Sequence, residues 1–398
     1  MFFNDISSYY WIIGTFCVAL IDFMVIFLAI IKSRTVVEND KESDFAILVP
    51  IFNKIDYLKN VPFLAEYGSG VYILTTNKET EEFNESLEKI CNLNNFKLFK
   101  ADIAENQEKT PWLLFSIALH GKSSNSDMIT NKTIVLIDGD TYTNEDLGKL
   151  VFTLNKNRFD LASVKVMPDM PFSITERLQK IEYLVAMQAR YLFPYLTSGA
   201  ALVGRREVLK RLYARHSMYF QGGDIELGIM GKKMGYNVGH IPFEFFTEVP
   251  DNMISLTKQR LSWASGTFRL FVVNIFQNIR NHGWEVFYTL VLIYLMLYIK
   301  VMNMIVYFPI IFITGFISYV IILSIVTFKE FSLTTILAPF YSIFQSFILL
   351  PLGALIYLRR VILSRNIGWI STSNPKRNAK LLVGNHSLYS NALELNGK

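Results

Sequence analysis

Asp138-Gly-Asp140 is the stretch of this chain best suited to chemistry. One glycine between two aspartates puts both carboxylates on one side of a tight turn, where like charges repel unless a cation lies with them. A divalent ion meets that need. Mg²⁺ takes oxygen ligands, uses few protein carboxylates and shares readily with phosphates, so the pair suits a nucleotide diphosphate bridged to the site. Asp-Gly is also a common turn pair, and a plain solvated turn is the other reading.

The elements that must position these residues lie between Asp44 and Asn281, where short β-rich runs alternate with helical stretches. That alternation predicts an α/β domain around a mostly parallel sheet. Strands are expected over Phe45–Phe52, Val71–Thr75, Phe96–Phe99, Thr133–Ile137 and Leu161–Val166, with helices over Pro111–His120 and Thr175–Tyr191. In open α/β sheets ligands bind beyond the carboxyl ends of the strands. Asn53 and Lys54, Thr76 and Asn77, and the Asp138/Asp140 pair occupy such positions.

The ends of the chain have a different character. Hydrophobic residues make up 51% of the whole, the mean hydropathy is +0.29, and the apolar excess is concentrated at the two ends. Tyr9 to Ile31 holds one charged side chain, Asp22, and is long enough to cross about 30 Å of hydrocarbon. Lys32 and Arg34 follow it, whereas no Lys or Arg precedes it. A retained anchor with its C-terminal side in the cytoplasm is therefore expected. Met304–Phe328 and Ile336–Leu358 are further spans by length, and Glu285–Ile299 is either a third crossing or a helix in the interface. The net charge of +5 is explained by basic clusters beside these segments, which suit anionic lipid headgroups and do not call for nucleic acid. Cys17 and Cys91 give neither a disulfide framework nor a zinc site, and the five histidines show no ligand spacing.

Asp138-Gly-Asp140 after an apolar strand, Gly222-Gly-Asp224-Ile-Glu-Leu227 opening a helix, and Gln259-Arg-Leu-Ser-Trp263 before a membrane segment resemble, in order and spacing, the inverting family 2 glycosyltransferases. The branch they look like is the processive cellulose, chitin and hyaluronan synthases. The resemblance implies a GT-A fold, Rossmann-like with a mostly parallel sheet, in a cytoplasmic domain flanked by transmembrane helices. It makes Asp140 the metal ligand, Asp138 a nucleotide contact and Asp224 the general base. Asp224 reads equally as the N-cap of its helix. Trp263 would stack on an acceptor sugar, or else sit in the aromatic belt of the membrane interface. Lys109 falls where related enzymes place a lysine on the diphosphate. Asn53 lies in a P-x-Y-N-like segment near the nucleoside, and Asn77 stands where an acidic base contact is often found. Thr197-Ser198-Gly199-Ala200 resembles a small-residue strand that lets an acceptor approach. Two departures stand out: Gly223 replaces an acidic residue, and Ser262 replaces the arginine of Q-x-x-R-W that meets the pyrophosphate. Gln259 and Arg260 become donor-side candidates, with Lys258 and Arg269 as other substitutes for that arginine.

The implied layout is an anchor over residues 1–34, a GT-A domain over 35–257, an interface helix over 258–283, transmembrane helices over 284–360 and a tail over 361–398. The implied activity is transfer from a UDP-sugar, with Mg²⁺ or Mn²⁺, into an extracellular or capsular polysaccharide that the spans conduct outward. A multi-pass plasma-membrane protein is expected. Transfer of one sugar to a lipid-linked acceptor and a non-catalytic synthase-like subunit are the alternatives. Sugar, linkage and oligomeric state are not legible.

Overall fold

The computed structural model describes residues 28–29, 31–32, 34–103, 108–121, 129–219, 221–280, 310–327 and 332–364. In chain order the elements are β1 (Phe45–Pro50), α1 (Val61–Ala65), β2 (Val71–Thr76), α2 (Glu81–Asn94), β3 (Lys97–Ala101), α3 (Pro111–His120), β4 (Thr133–Ile137), α4 (Leu147–Lys156), β5 (Leu161–Pro168), α5 (Ile174–Leu192), β6 (Ala201–Arg205), α6 (Arg206–Tyr213), α7 (Gly223–Lys233), β7 (Val238–Thr247), α8 (Met253–Arg280), α9 (Ile310–Val326), α10 (Leu333–Phe344) and α11 (Leu350–Ser364). They fall into two units. One holds Arg34–Asp169 and Pro194–Glu248 and carries the sheet; the other holds Met170–Phe193 and Val249–Leu363 and is helical among its described residues.

Local chemistry sets the helix starts in the sheet unit. Thr80 accepts the Phe83 N–H to begin α2, Thr110 accepts the Leu113 N–H with Pro111 at the first position of α3, and Asp146 accepts the Gly148 N–H at α4. The seven strands pair in the order β3-β2-β1-β4-β6-β5-β7. β3, β2, β1 and β4 are mutually parallel, β6 runs antiparallel between β4 and β5, and β7 is parallel to β5. All parallel carboxyl ends therefore share one edge with the entrance to β6. Leu48, Leu74 and Phe99 on the strands bury against Leu114, Phe115 and Leu212 on α3 and α6. Each such side chain contributes about 1.5–3 kcal/mol on burial.

In the helical unit, Leu178 and Ile181 of α5 and Leu256 of α8 pack with Leu323 of α9 and with Ala338 and Tyr341 of α10. Helix Leu333–Arg359, spanning α10, a π-helical turn and most of α11, is the one described helix long and apolar enough to cross a membrane. It contains the expected span Ile336–Leu358, and α9 falls inside the expected Met304–Phe328. The expected segments Glu285–Ile299 and most of Tyr9–Ile31 lie outside the described residues.

The unit boundaries differ from the expected domain of residues 35–257. The sheet unit ends at Glu248, and α5 belongs with the C-terminal helices because its buried Leu178 and Ile181 meet Leu256, Ala338 and Tyr341. The acceptor-side stretch Thr197–Ala200 is a bend leading into β6, not a strand.

A Cβ on Gly353 would lie 2.5 Å from Ala264 Cβ and 2.8 Å from the Ala264 carbonyl carbon, so α11 meets α8 through small residues. Gly353→Val should destabilise the detergent-solubilised protein by about 1–3 kcal/mol, read as a lower thermal midpoint. An unchanged midpoint would contradict that close crossing.

Candidate active site

The turn after β4 is clamped from α1 and the residues before it. Asn60 donates through Nδ2 to the Asp138 carbonyl (3.0 Å) and the Thr141 carbonyl (2.6 Å), while the Lys59 and Asn60 N–H groups both reach the Gly139 carbonyl. Position 139 admits no side chain, because a Cβ there would meet Tyr57 O at 2.7 Å and Ile51 Cδ1 at 2.4 Å. Asp138 and Asp140 are thus pushed to the strand end in one fixed geometry. Asp140 Oδ1 accepts from the Thr141 hydroxyl (3.1 Å) and from that of Thr247 at the end of β7 (3.3 Å).

Antiparallel pairing of β6 with β4 sets Ala201 opposite Ile137, and the Asp138 N–H donates to the Ala200 carbonyl at 2.9 Å. The adjoining bend holds Asp224. Gly199 N–H donates to Asp224 Oδ2 at 2.9 Å, and the Thr197 hydroxyl donates to the Asp224 carbonyl. Gly222, at φ 72°, occupies the N-cap of α7. Asp224 therefore does not cap this helix; its carboxylate faces the bend.

The three acids gather at one end of the sheet. Burial raises the Asp138 carboxyl well above the usual range, with the charges of Asp140 and Asp224 adding to the effect. Burial also raises Asp140, the charge of Glu248 adds to it, and the two threonine hydroxyls oppose the shift. An all-oxygen donor set with repelling charges fits a hard divalent cation. Among the described residues no group of three or more His, Cys, Asp or Glu side chains could hold a metal by itself.

The Gly223 departure has a steric origin. A Cβ at Gly223 would meet the Trp112 indole Nε1 at 2.3 Å, and one at Gly199 would meet its Cη2 at 3.5 Å. Trp112 of α3 fills the space that a side chain at residue 223 would need. The ring is also 5.9 Å from that of His216. Met218 N–H donates to His216 Nδ1, which leaves Nε2 to donate to the Gly223 carbonyl at 2.8 Å and makes this imidazole neutral.

At the ends of β1 and β2, Glu79 organises the remaining candidates. Its side chain is 3% exposed and accepts from Lys109 Nζ (2.6 Å), the Thr76 hydroxyl (3.0 Å) and the Asn53 N–H (3.0 Å). Lys109 Nζ also reaches Asn53 Oδ1 at 3.4 Å, and Asn53 sits at φ 70°. Asn77 turns away from this group: it donates to Asp102 and accepts from the Ile103 N–H. Sequence reasoning missed Glu79, although an acid three residues after a strand end, on the lysine's side of the sheet, was a usable signal. It also missed Asn60 and Thr247, which act on Asp138 and Asp140 from distant segments.

Ser198 lies half-buried in the bend beside Gly199. Gln259, Arg260, Ser262 and Trp263 belong to α8 in the helical unit. Arg260 is 4% exposed and Arg269 fully buried, whereas Trp263 is 44% exposed. The Arg260 guanidinium is engaged by Glu182 rather than open to solvent.

A mixed sheet of this order, with acids grouped at the end of β4 and the start of α7, is GT-A-like in fold. The model of the Glycosyl transferase family group 2 matches residues 133–358, more than half of the chain, and the chain belongs to that family. Among solved structures, the mannosyltransferase PcManGT from Pyrobaculum calidifontis, in complex with GDP-Man and Mn²⁺, is similar at 14% identity and a TM-score of 0.53. The alignment covers 90% of this chain and 98% of that one, and the likeness is one of fold. A mycobacterial protein aligns at 13% identity and a TM-score of 0.37, over 56% of this chain and 73% of its own. No curated protein sequence matches the chain.

The acid cluster gives a pH signature. Native Asp138 holds its proton to higher pH than the unfolded chain, so its favourable contribution is complete below about pH 4 and is lost as pH rises toward the native value. In chelator, wild-type protein should lose thermal stability over that rise, and Asp138→Asn should lose less. Equal slopes in the two proteins would contradict the burial of the Asp138 carboxyl beside Asp140 and Asp224.

Proposed function

We propose that the chain is a membrane-bound, metal-dependent inverting transferase that takes sugar from a UDP-sugar and adds it to a polysaccharide at the cytoplasmic face of the plasma membrane. The observation that carries this reading is the meeting of Asp138, Asp140 and Asp224 at one end of the sheet. Inverting transfer is a single in-line displacement. Asp224, steadied by the Gly199 N–H, takes the proton of the acceptor hydroxyl as that oxygen attacks the anomeric carbon. Asp140 would hold Mg²⁺ or Mn²⁺ and Asp138 would orient the nucleotide. Such an ion offsets charge on the departing diphosphate. Lys109 and Asn53 are the other donor-side candidates of the sheet unit, with Glu79 keeping Lys109 in place beside Asn53, whereas Asn77 is engaged by Asp102 and Ile103; Gln259 is a donor-side candidate in the helical unit. Ser198 and Gly199 are acceptor-side candidates in the sheet unit, and Trp263 is one in the helical unit. Helix Leu333–Arg359 supports membrane attachment, and a multi-pass arrangement is part of the proposal.

One observation favours a second reading, transfer of a single sugar to a lipid-linked acceptor. The arginine of the processive motif is replaced by Ser262, and neighbouring Arg260 is buried on Glu182. The full chain in vesicles, given UDP-sugars and GDP-mannose with Mg²⁺ or Mn²⁺, separates the two by product size. Polymer supports the first, a single-sugar lipid supports the second, and no turnover with any donor overturns both. Asp224→Asn should lower turnover by about 10²–10⁴-fold while UDP binding with Mn²⁺ persists. A fully active variant would remove Asp224 from the role of base.

A further inference from the structure

We propose that Arg260 is a positioning residue: anchored by Glu182, its guanidinium fixes the Trp263 ring so that one face stays open to an acceptor sugar. This rests on the transfer reading above and assigns Arg260 a role other than contact with the donor diphosphate. Arg260 Nη2 and Nε both donate to Glu182 Oε2, at 2.8 and 3.2 Å, and Nη1 donates to Gln259 Oε1 at 2.5 Å. A guanidinium that is 4% exposed and paired with a carboxylate has little charge left to offer a diphosphate. Its plane has another use. The central carbon lies 4.0 Å from the Trp263 ring centroid, and the two residues stand three apart on one face of α8.

Trp263 is covered on that side yet remains 44% exposed, and Tyr183 of α5 lies tilted at 6.5 Å between ring centroids. Glu182 Oε2 also accepts from the Tyr341 hydroxyl of α10 at 2.9 Å. The ring's orientation is therefore set through α5 and through the apolar helix that α10 begins. Lysine could keep the charge but neither the planar stack nor two donors on one oxygen, so Arg260→Lys isolates the positioning role.

The test uses the full chain with 5-fluorotryptophan, its Trp263 ¹⁹F resonance assigned by Trp263→Phe. Arg260→Lys and Glu182→Gln should move that resonance and leave the Trp112 resonance in place. With short β-glucan or chitin oligosaccharide as acceptor, Arg260→Lys should raise the acceptor KM by about tenfold while the Kd for UDP with Mn²⁺ is unchanged. The Arg260→Lys/Trp263→Phe double variant should be no worse than Trp263→Phe alone. A stationary Trp263 resonance, a weakened UDP Kd with unchanged acceptor KM, or multiplicative effects in the double variant would each overturn the proposal. Glu182→Gln, which keeps the side-chain shape, guards against a folding defect in the lysine variant. If wild type transfers no sugar, the functional reading fails, whereas the resonance shift still decides whether Arg260 orients the ring.

Discussion

Three carboxylates brought to one end of a sheet repel one another, and the sheet unit is arranged to hold them there. Asn60 clamps the turn of Asp138 and Asp140, the bend before β6 receives Asp224, and two threonine hydroxyls fix one oxygen of Asp140. None of these contacts neutralises the acids. Burial and the neighbouring charges make Asp138 hold its proton, and a bound cation would favour its ionised form. Antiparallel β6 is the topological device responsible, because it starts at the edge where β1, β2 and β4 end and so sets the bend before it beside those carboxyl ends.

The replacement of an acid by Gly223 follows from the same crowding. Trp112 occupies the space beside the start of α7 and touches the zone of Gly199, so the bend and the helix close around Asp224 through an aromatic ring. An added acid at residue 223 would bring a further charge toward Asp224 and would collide with the indole. Glycine at residue 223 and tryptophan at residue 112 are thus one packing solution.

In the helical unit a comparable role falls to Glu182, which joins Arg260 and Tyr341 from two other helices. Burying the arginine of this pair costs desolvation, which the half-buried Glu182 offsets, and the shared carboxylate ties α5, α8 and α10 together. Gly353 against Ala264 complements it by letting α11 approach α8 without a side chain between them.

The sequence by itself determined the α/β class, β4 and α3 to the residue, the apolar helix near the C-terminus, and the candidate pair Asp138 and Asp140, whereas Asp224 was singled out by the family resemblance. These are local properties: an apolar run, a cap with proline, a turn pair after a strand. Tertiary structure alone decided which residues meet. That the bend before β6 holds Asp224, that Glu79 gathers Lys109 and Asn53, and that Arg260 is taken up by Glu182 depend on pairings across tens of residues. Periodicity carries no record of such pairings, because a side chain's role is fixed by whichever distant partner the strand order and helix packing bring within hydrogen-bonding reach.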